Sequence, residues 1–225
     1  MSKSVLYNEN SRVKIPALVH FTRLGYKYLS LKNYHGEIDE DTNIFVDTFC
    51  AAINRINHTS LTLEETKKII AEIKIILNNE DLGKAFYAVL LSGYKGLKLI
   101  DFDSSNGVEN TFEVVTELTY KNGNDEFRPD ITVLINGIPL AFLEVKKPNN
   151  KDGIQAEYAR INKRVQNKKF RRFVNITQLM VFSNNSEYDD TEIIPLEGAF
   201  YAASSYSKLF FSRFREEDET IFSRI

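Results

Sequence analysis

Arg128-Pro129-Asp130 and Glu144-Val145-Lys146-Lys147-Pro148 flank a hydrophobic stretch. Between them they hold two carboxylates and a lysine that the intervening chain can bring together. Side chains on a strand alternate in direction, so Glu144 and Lys146 share one face while Val145 points to the other. A carboxylate and an ammonium at the end of an otherwise apolar strand are costly unless something uses them. Two hard oxygen donors, Asp130 and Glu144, helped by the backbone carbonyl of Val145, suit a Mg²⁺ ion that keeps several waters. Such an ion polarises a phosphoryl oxygen and acidifies a bound water. Lys146 would position that water or stabilise charge growing on the phosphate. The reaction class this set fits is metal-assisted phosphodiester hydrolysis. Glu-Val-Lys alone would be an ordinary solvated strand end.

Whether Asp130 joins the pair depends on register. Ile131–Ile135 and Ile138–Leu143 read as two strands joined at Asn136-Gly137, the strongest hairpin signal in the chain. A strict two-residue turn sets Ile135 opposite Ile138 and Asp130 opposite Leu143, which separates the carboxylates. A three-residue loop with Gly137 in the left-handed region pairs Leu134 with Ile138 instead. Asp130 then faces Phe142, and Asp130, Glu144 and Lys146 converge. The bulged turn is the expectation. A two-residue turn with no other bulge nearby would break the constellation.

The elements that must position these residues follow from pattern. A short amphipathic helix opens at Ile15-Pro16 and ends at Gly25. A second runs from about Thr42 to Ile56, with Phe45, Phe49, Ile53 and Ile56 on one stripe. Thr62-Leu63-Glu64-Glu65 fits a capping box and starts a third, with Ile69, Ile73, Ile76 and Leu77 facing inward. Ala85–Leu91 is either a helix or a buried strand. Strand signals take over in Thr111–Thr119, with a turn at Asn122-Gly123, and return in Ile176–Phe182 after a polar helix around Ile154–Val165. Glu117 could face the site or solvent. The expected fold class is α/β: a mixed β-sheet core flanked by helices, with a helical amino-terminal layer. The expected organisation is 1–100 as that layer, 101–205 as the sheet core and 206–225 as a connector. Phe200, Tyr201, Tyr206, Phe210, Phe211 and Phe214 either pack on the core or await a following domain, and Glu216–Glu219 suits a surface connector.

Composition narrows the classes. The chain has 225 residues, 43% apolar and 27% charged, with a net charge of −2. That is globular composition, and it excludes a protein that grips nucleic acid by overall charge. One cysteine, Cys50, and three histidines allow neither an internal disulfide nor a Cys/His zinc cluster. His20, His35 and His58 are assigned no role. No secretory leader is seen at 1–10 and no run approaches the roughly 18 apolar residues of a membrane span, so a soluble protein of a reducing compartment is expected. Charge is concentrated locally: from Lys146 to Arg172 there are ten basic residues against two acidic ones, Asp152 and Glu157. Arg160 shares a helix face with Lys163 and with Arg164. A solvated face is the ordinary explanation for such a run, but its place directly behind the candidate site favours phosphate contact, with salt-dependent binding.

Arg128-Pro129-Asp130, Asn136-Gly137-Ile138-Pro139-Leu140 and Leu143–Pro148 resemble the PD-(D/E)xK nuclease motif. They are most similar to its form in the amino-terminal endonuclease domain of the restriction (R) subunit of type I restriction–modification enzymes. Leu24-Gly25-Tyr26, Asn110-Thr111-Phe112 with Val114-Val115, and Gln178–Asn184 extend the likeness from about Ala17 to Phe200. The resemblance implies a restriction-endonuclease-like fold and Mg²⁺-dependent cleavage of double-stranded DNA. Asp130 and Glu144 would be the metal ligands and Lys146 the catalytic lysine. It further implies modification and specificity subunits as partners and a bacterial or archaeal cytoplasm as the location.

The chain departs from the family pattern in three ways. The family's Gln-xxx-Tyr motif aligns with Arg160 and Arg164, while Gln155 and Tyr158 stand nearby at the wrong spacing; all four, with Lys163, are candidate DNA contacts. The family's glutamate on the first helix has no counterpart in Lys14–His20. No Gly-x-x-x-x-Gly-Lys-[Ser/Thr] loop occurs, so ATP would act only through a motor domain outside this chain. Two other readings share the sequence: a catalytically silent DNA-binding or subunit-docking module on the same fold, and a stand-alone repair or junction nuclease.

Overall fold

The hydrophobic hairpin becomes the middle of a mixed β-sheet. A computed structural model describes residues 8–103, 109–147, 153–183, 199–202 and 212–214. After a π-helical turn at Asn10–Lys14, the elements in chain order are α1 (Ile15–Arg23), β1 (Lys27–Leu29), α2 (Val46–Asn57), α3 (Leu63–Ile76) and α4 (Lys84–Ser92). Then come β2 (Phe112–Thr116), β3 (Tyr120–Asn122), β4 (Asp125–Phe127), β5 (Ile131–Ile135), β6 (Ile138–Val145), α5 (Gly153–Gln166), α6 (Arg171–Ile176) and β7 (Leu179–Ser183). The sheet runs β1-β2-β5-β6-β7, extended beyond β7 by β8 (Ala199–Ala202) and β9 (Ser212–Phe214); β3 and β4 form a separate ribbon. β1 and β2 are parallel, β2-β5-β6 antiparallel, and β6 and β7 parallel again through the α5–α6 crossover. The α/β sheet flanked by helices is the expected, restriction-endonuclease-like class.

Four apolar clusters clamp the sheet, one of them formed by Phe45, Val115, Leu118 and Leu134. Ile138 and Leu140 of β6 pack with Phe49 and Ile53 of α2, Ile70 and Ile73 of α3, Phe86 and Leu90 of α4, and Ile176. Phe142 of β6 and Phe182 of β7 pack with Tyr120, Phe127, Ile161, Phe170 and Phe173, where ring pairs 5.2–6.0 Å apart meet mostly edge to face. On the opposite face, Val114, Ile131 and Val133 take Ala17, Leu18 and Phe21 of α1. Burying one such phenylalanine supplies about 1.5–3 kcal/mol, so these clusters anchor the sheet centre.

The sequence expectations meet specific corrections. The second helix begins at Val46 rather than at Thr42, because Asp39 accepts hydrogen bonds from the backbone and hydroxyl of Thr42. Asn43 is left-handed, and the Phe45 N–H donates to the Gly137 carbonyl at 2.9 Å. The capping box at Thr62 and Glu65 is present. Ile73 and Leu77 are buried as expected, and Ile70 joins them, while Ile69 and Ile76 are only partly covered. Ala85–Leu91 is helical, within α4. The strand expected over Thr111–Thr119 stops at Thr116, because Glu117 adopts a left-handed backbone. Ile176 ends a helix instead of starting a strand, and β7 begins at Leu179. Phe200 and Tyr201 fall in β8 and Phe214 in β9, but their side chains, with Tyr206, Phe210, Phe211 and Glu216–Glu219, lie outside the described residues.

Candidate active site

The turn differs from expectation, and a compensation follows it. Ile135 pairs with Ile138, and Asn136 and Gly137 both have positive φ, 54° and 76°, the signature of a two-residue type I′ turn. The three-residue loop is therefore wrong. One step later the register shifts: Leu134 pairs with Pro139, but Val133 pairs with Ala141. Leu140 is the extra residue of a β-bulge, placed beside a proline that has no N–H for the ladder. The bulge flips the facing of everything beyond it. Ile131 now pairs with Leu143, which brings Asp130 level with Glu144 on one face of the sheet. The convergence required of the turn is delivered by the strand.

The tip that carries this register is tied to the helical layer. The Asn136 side chain is fully buried; it accepts the Thr111 N–H at 2.7 Å and donates to the Leu99 carbonyl and to Asn110 Oδ1, both at 2.9 Å. Gly137 lies so close to α2 that a Cβ there would sit 2.8 Å from the Phe45 carbonyl oxygen.

At the open end of the hairpin, Asp130, Glu144 and Lys146 border a cleft of about 550 Å³, together with Glu9, Thr119, Glu126, Phe127, Arg128, Glu157, Arg160 and Arg164. The Val145 N–H donates to Asp130 Oδ2 at 3.0 Å, so the strand end orients the aspartate. Glu144 is 7% exposed. Burial pushes its carboxyl up to about 8; the neighbouring charge of Asp130 adds to this, Lys146 opposes it, and a hydrogen bond with Asp130 contributes. Glu144 is thereby the weaker acid beside Asp130. The Lys146 ammonium lies 3.2 Å from Glu157 Oε1 and 3.7 Å from Glu144 Oε2. Burial alone would lower its pKa, but those two carboxylates outweigh it and the net direction is upward.

The structure adds residues that sequence reasoning missed. Lys14, from the π-helical turn, is 7% exposed. Its ammonium reaches Glu117 Oε1 at 2.9 Å and Asp130 Oδ1 at 3.7 Å. Glu117 thereby faces the site, and its pKa is lowered by Lys14. Glu9, at the start of the same turn, supplies the cleft with a carboxylate that Lys14–His20 does not offer. Glu157 is 3% exposed. Its spacing is a usable signal, since it stands one helical turn before buried Ile161 and on the same face as Arg160 and Arg164.

The basic run divides. Lys169 pairs with Asp125 at 2.6 Å, Arg171 with Glu80 at 2.5 Å and Arg172 with Asp41 at 2.9 Å, so these cations fasten α6 and its neighbours to the fold. Arg160 pairs with Glu157. Arg164 stacks on Phe127, its guanidinium carbon 3.8 Å from the ring centroid. Lys163 is exposed and does not border the cleft. Gln155 and Tyr158 lie on α5, with their side chains outside the described residues. Among the described residues no group of three or more His, Cys, Asp or Glu forms a ready-made metal cage, and no helix is long and apolar enough to cross a membrane.

Residues 6–189, from just before Glu9 to past β7, match the family described as the type I restriction enzyme R protein N terminus. The chain belongs to that family. A relative from Methanocaldococcus jannaschii, named "Putative type I restriction enzyme MjaIXP endonuclease subunit", is 32% identical over 203 residues, 80% of this chain and 19% of its own length. A second from that organism, named "Putative type I restriction enzyme MjaVIIIP endonuclease subunit", is 45% identical over 51 residues, 23% of this chain and 5% of its own length. This R-protein N-terminal chain thus spans about a fifth of the longer match. The family match extends through every described element that borders the cleft.

Proposed function

We propose that this chain is the metal-dependent DNA endonuclease module of a type I restriction enzyme, acting on duplex DNA. The observation that carries the reading is the convergence of Asp130, Glu144 and Lys146 at one strand end, in a family whose relatives are named endonuclease subunits. Hard oxygen donors in an open cleft fit a divalent ion such as Mg²⁺ that brings its own waters, and binding it would favour the ionised form of Glu144. Asp130, Glu144 and the Val145 carbonyl would hold it. When bound, it supplies Lewis acidity and a more acidic water.

The chain's own groups do the rest. The Val145 N–H fixes the Asp130 carboxylate. Glu157 restrains the Lys146 ammonium beside Glu144, where it hydrogen-bonds the attacking water or the phosphate oxygen that gains charge. Hydrolysis consumes one water: its oxygen bonds to phosphorus, one ester P–O bond breaks, and the departing oxygen takes up a proton. Arg160, Lys163 and Arg164, with Gln155 and Tyr158 on the same helix, contact the DNA backbone. Translocation driven by ATP and recognition of the DNA site belong to other domains and to the modification and specificity subunits.

The test is cleavage of duplex DNA by the assembled restriction enzyme carrying Asp130→Ala, Glu144→Ala or Lys146→Ala. Each should abolish cutting while leaving ATP hydrolysis intact. Three variants that cut like wild type would show that the cleft is a docking surface and not a catalytic one.

A further inference from the structure

The three cations on the cleft-side half of α5 are not equivalent. Arg160 borders the cleft but is paired with Glu157, and Lys163 is exposed and outside the cleft lining. Arg164 is different in each respect. Its side chain is half-buried at the wall of the cleft, and its guanidinium plane is held by the Phe127 ring at 3.8 Å. Its Nη1 is buried with no hydrogen-bond partner among the described residues, and none of their carboxylates forms an ion pair with it. Phe127 is itself held, edge to face, against Phe142 and Phe173 at 5.5 and 5.2 Å, so the cation rests on an aromatic cluster of the core.

A buried, unpaired guanidinium donor is an expensive feature to keep in a fold. A planar guanidinium held against a ring, with its Nη1 lacking a partner among the described residues, is matched by a phosphate that can accept from two nitrogens at once. The other side of the same cleft holds the carboxylates and Lys146. We propose that Arg164 is the phosphate anchor of the cleft, taking two oxygens of the phosphodiester that faces Asp130, Glu144 and Lys146. The assignment rests on the endonuclease reading and deepens it. Arg164 becomes a catalytic residue, whereas Lys163 serves backbone binding alone.

The experiment pairs binding with cleavage. Binding of a short duplex is measured in Ca²⁺ as a function of salt for the wild-type chain and for Arg164→Gln and Arg164→Lys. The side-chain amide resonance of Arg164 in the wild-type protein is followed on adding the same duplex, which needs no variant to fold. Cleavage is then read in the assembled enzyme. Arg164→Gln should flatten the salt dependence by about one phosphate contact and slow the cutting step by roughly 10²–10³-fold, the usual loss for one donor aimed at developing charge. Arg164→Lys keeps the charge and should restore the salt dependence without restoring the rate, because an ammonium cannot fork.

An Arg164 resonance that duplex leaves unmoved, with Arg164→Gln binding at the wild-type salt dependence, overturns the proposal. So does full recovery of the rate by lysine. Asp130→Asn keeps the two ideas apart: if it cuts like wild type, the endonuclease reading fails, while resonance and salt dependence still decide whether Arg164 holds phosphate.

Discussion

Replacing the buried acid of the cleft should make the metal-free protein more stable, and the gain should depend on pH. Glu144 has an ordinary value of 4.5 and is pushed up to about 8 in the folded chain. Between those limits the folded protein keeps a proton that the unfolded chain has released. The folded state then binds more protons, so stability falls as pH rises through this window and the full cost is present above it. At about 1.4 kcal/mol for each tenfold change in acidity, the upper bound is roughly 5 kcal/mol. Water in the open cleft screens part of this, leaving about 2–3 kcal/mol. A glutamine side chain has the same shape, cannot ionise, and can donate to Asp130 as the protonated acid does.

Glu144→Gln should therefore melt close to wild type at about pH 5 and roughly 5–10 °C above it at about pH 9. Thermal unfolding in EDTA, followed by circular dichroism, measures the difference; titrating groups remote from the cleft are common to both proteins and cancel. A gap that stays constant across the window, or widens toward acid, refutes the account of Glu144 as the proton-holding member of the pair.

Other outcomes follow from the packing. Asn136→Ala removes three buried hydrogen bonds and leaves backbone groups unpaired, so it should cost about 2–4 kcal/mol in urea unfolding. Gly137→Ala adds a Cβ that meets the Phe45 carbonyl at 2.8 Å where φ is +76°, and should cost at least as much as the usual left-handed penalty of about 1–2 kcal/mol. Thr62→Ala breaks the capping box of α3 and should lower stability by about 1 kcal/mol, with no effect on DNA binding.

Much of the site is legible because strands alternate. Glu144 and Lys146 are bound to share a face whatever the register, and Asn136-Gly137 marks the hairpin tip. The turn type is not legible, because two backbone solutions, a longer loop or a bulge, restore the same facing, and pattern alone does not choose between them. Pro139 is the available hint, since a proline inside a strand often marks a broken ladder. Glu157 is obscured when it is counted against ten cations instead of placed on a helix face. Lys14 and Glu117 meet across 103 positions of sequence, a contact that only the docking of the first helical turn creates. The left-handed backbone of Glu117, which ends β2 early, has no signature in a run of β-formers.

The extra residue at Leu140 acts as a parity switch. With a two-residue tip and an unbroken ladder, an acid on each strand can look the same way only when an odd number of positions separates them. Asp130 and Glu144 are an even number apart, and the bulge reconciles that spacing with the tip. Insertions and deletions between the two acids in related chains should therefore come in twos, or arrive together with a gain or loss of the bulge. Counting residues from one acid to the other thus discloses how the strand between them is built, before any coordinates are known.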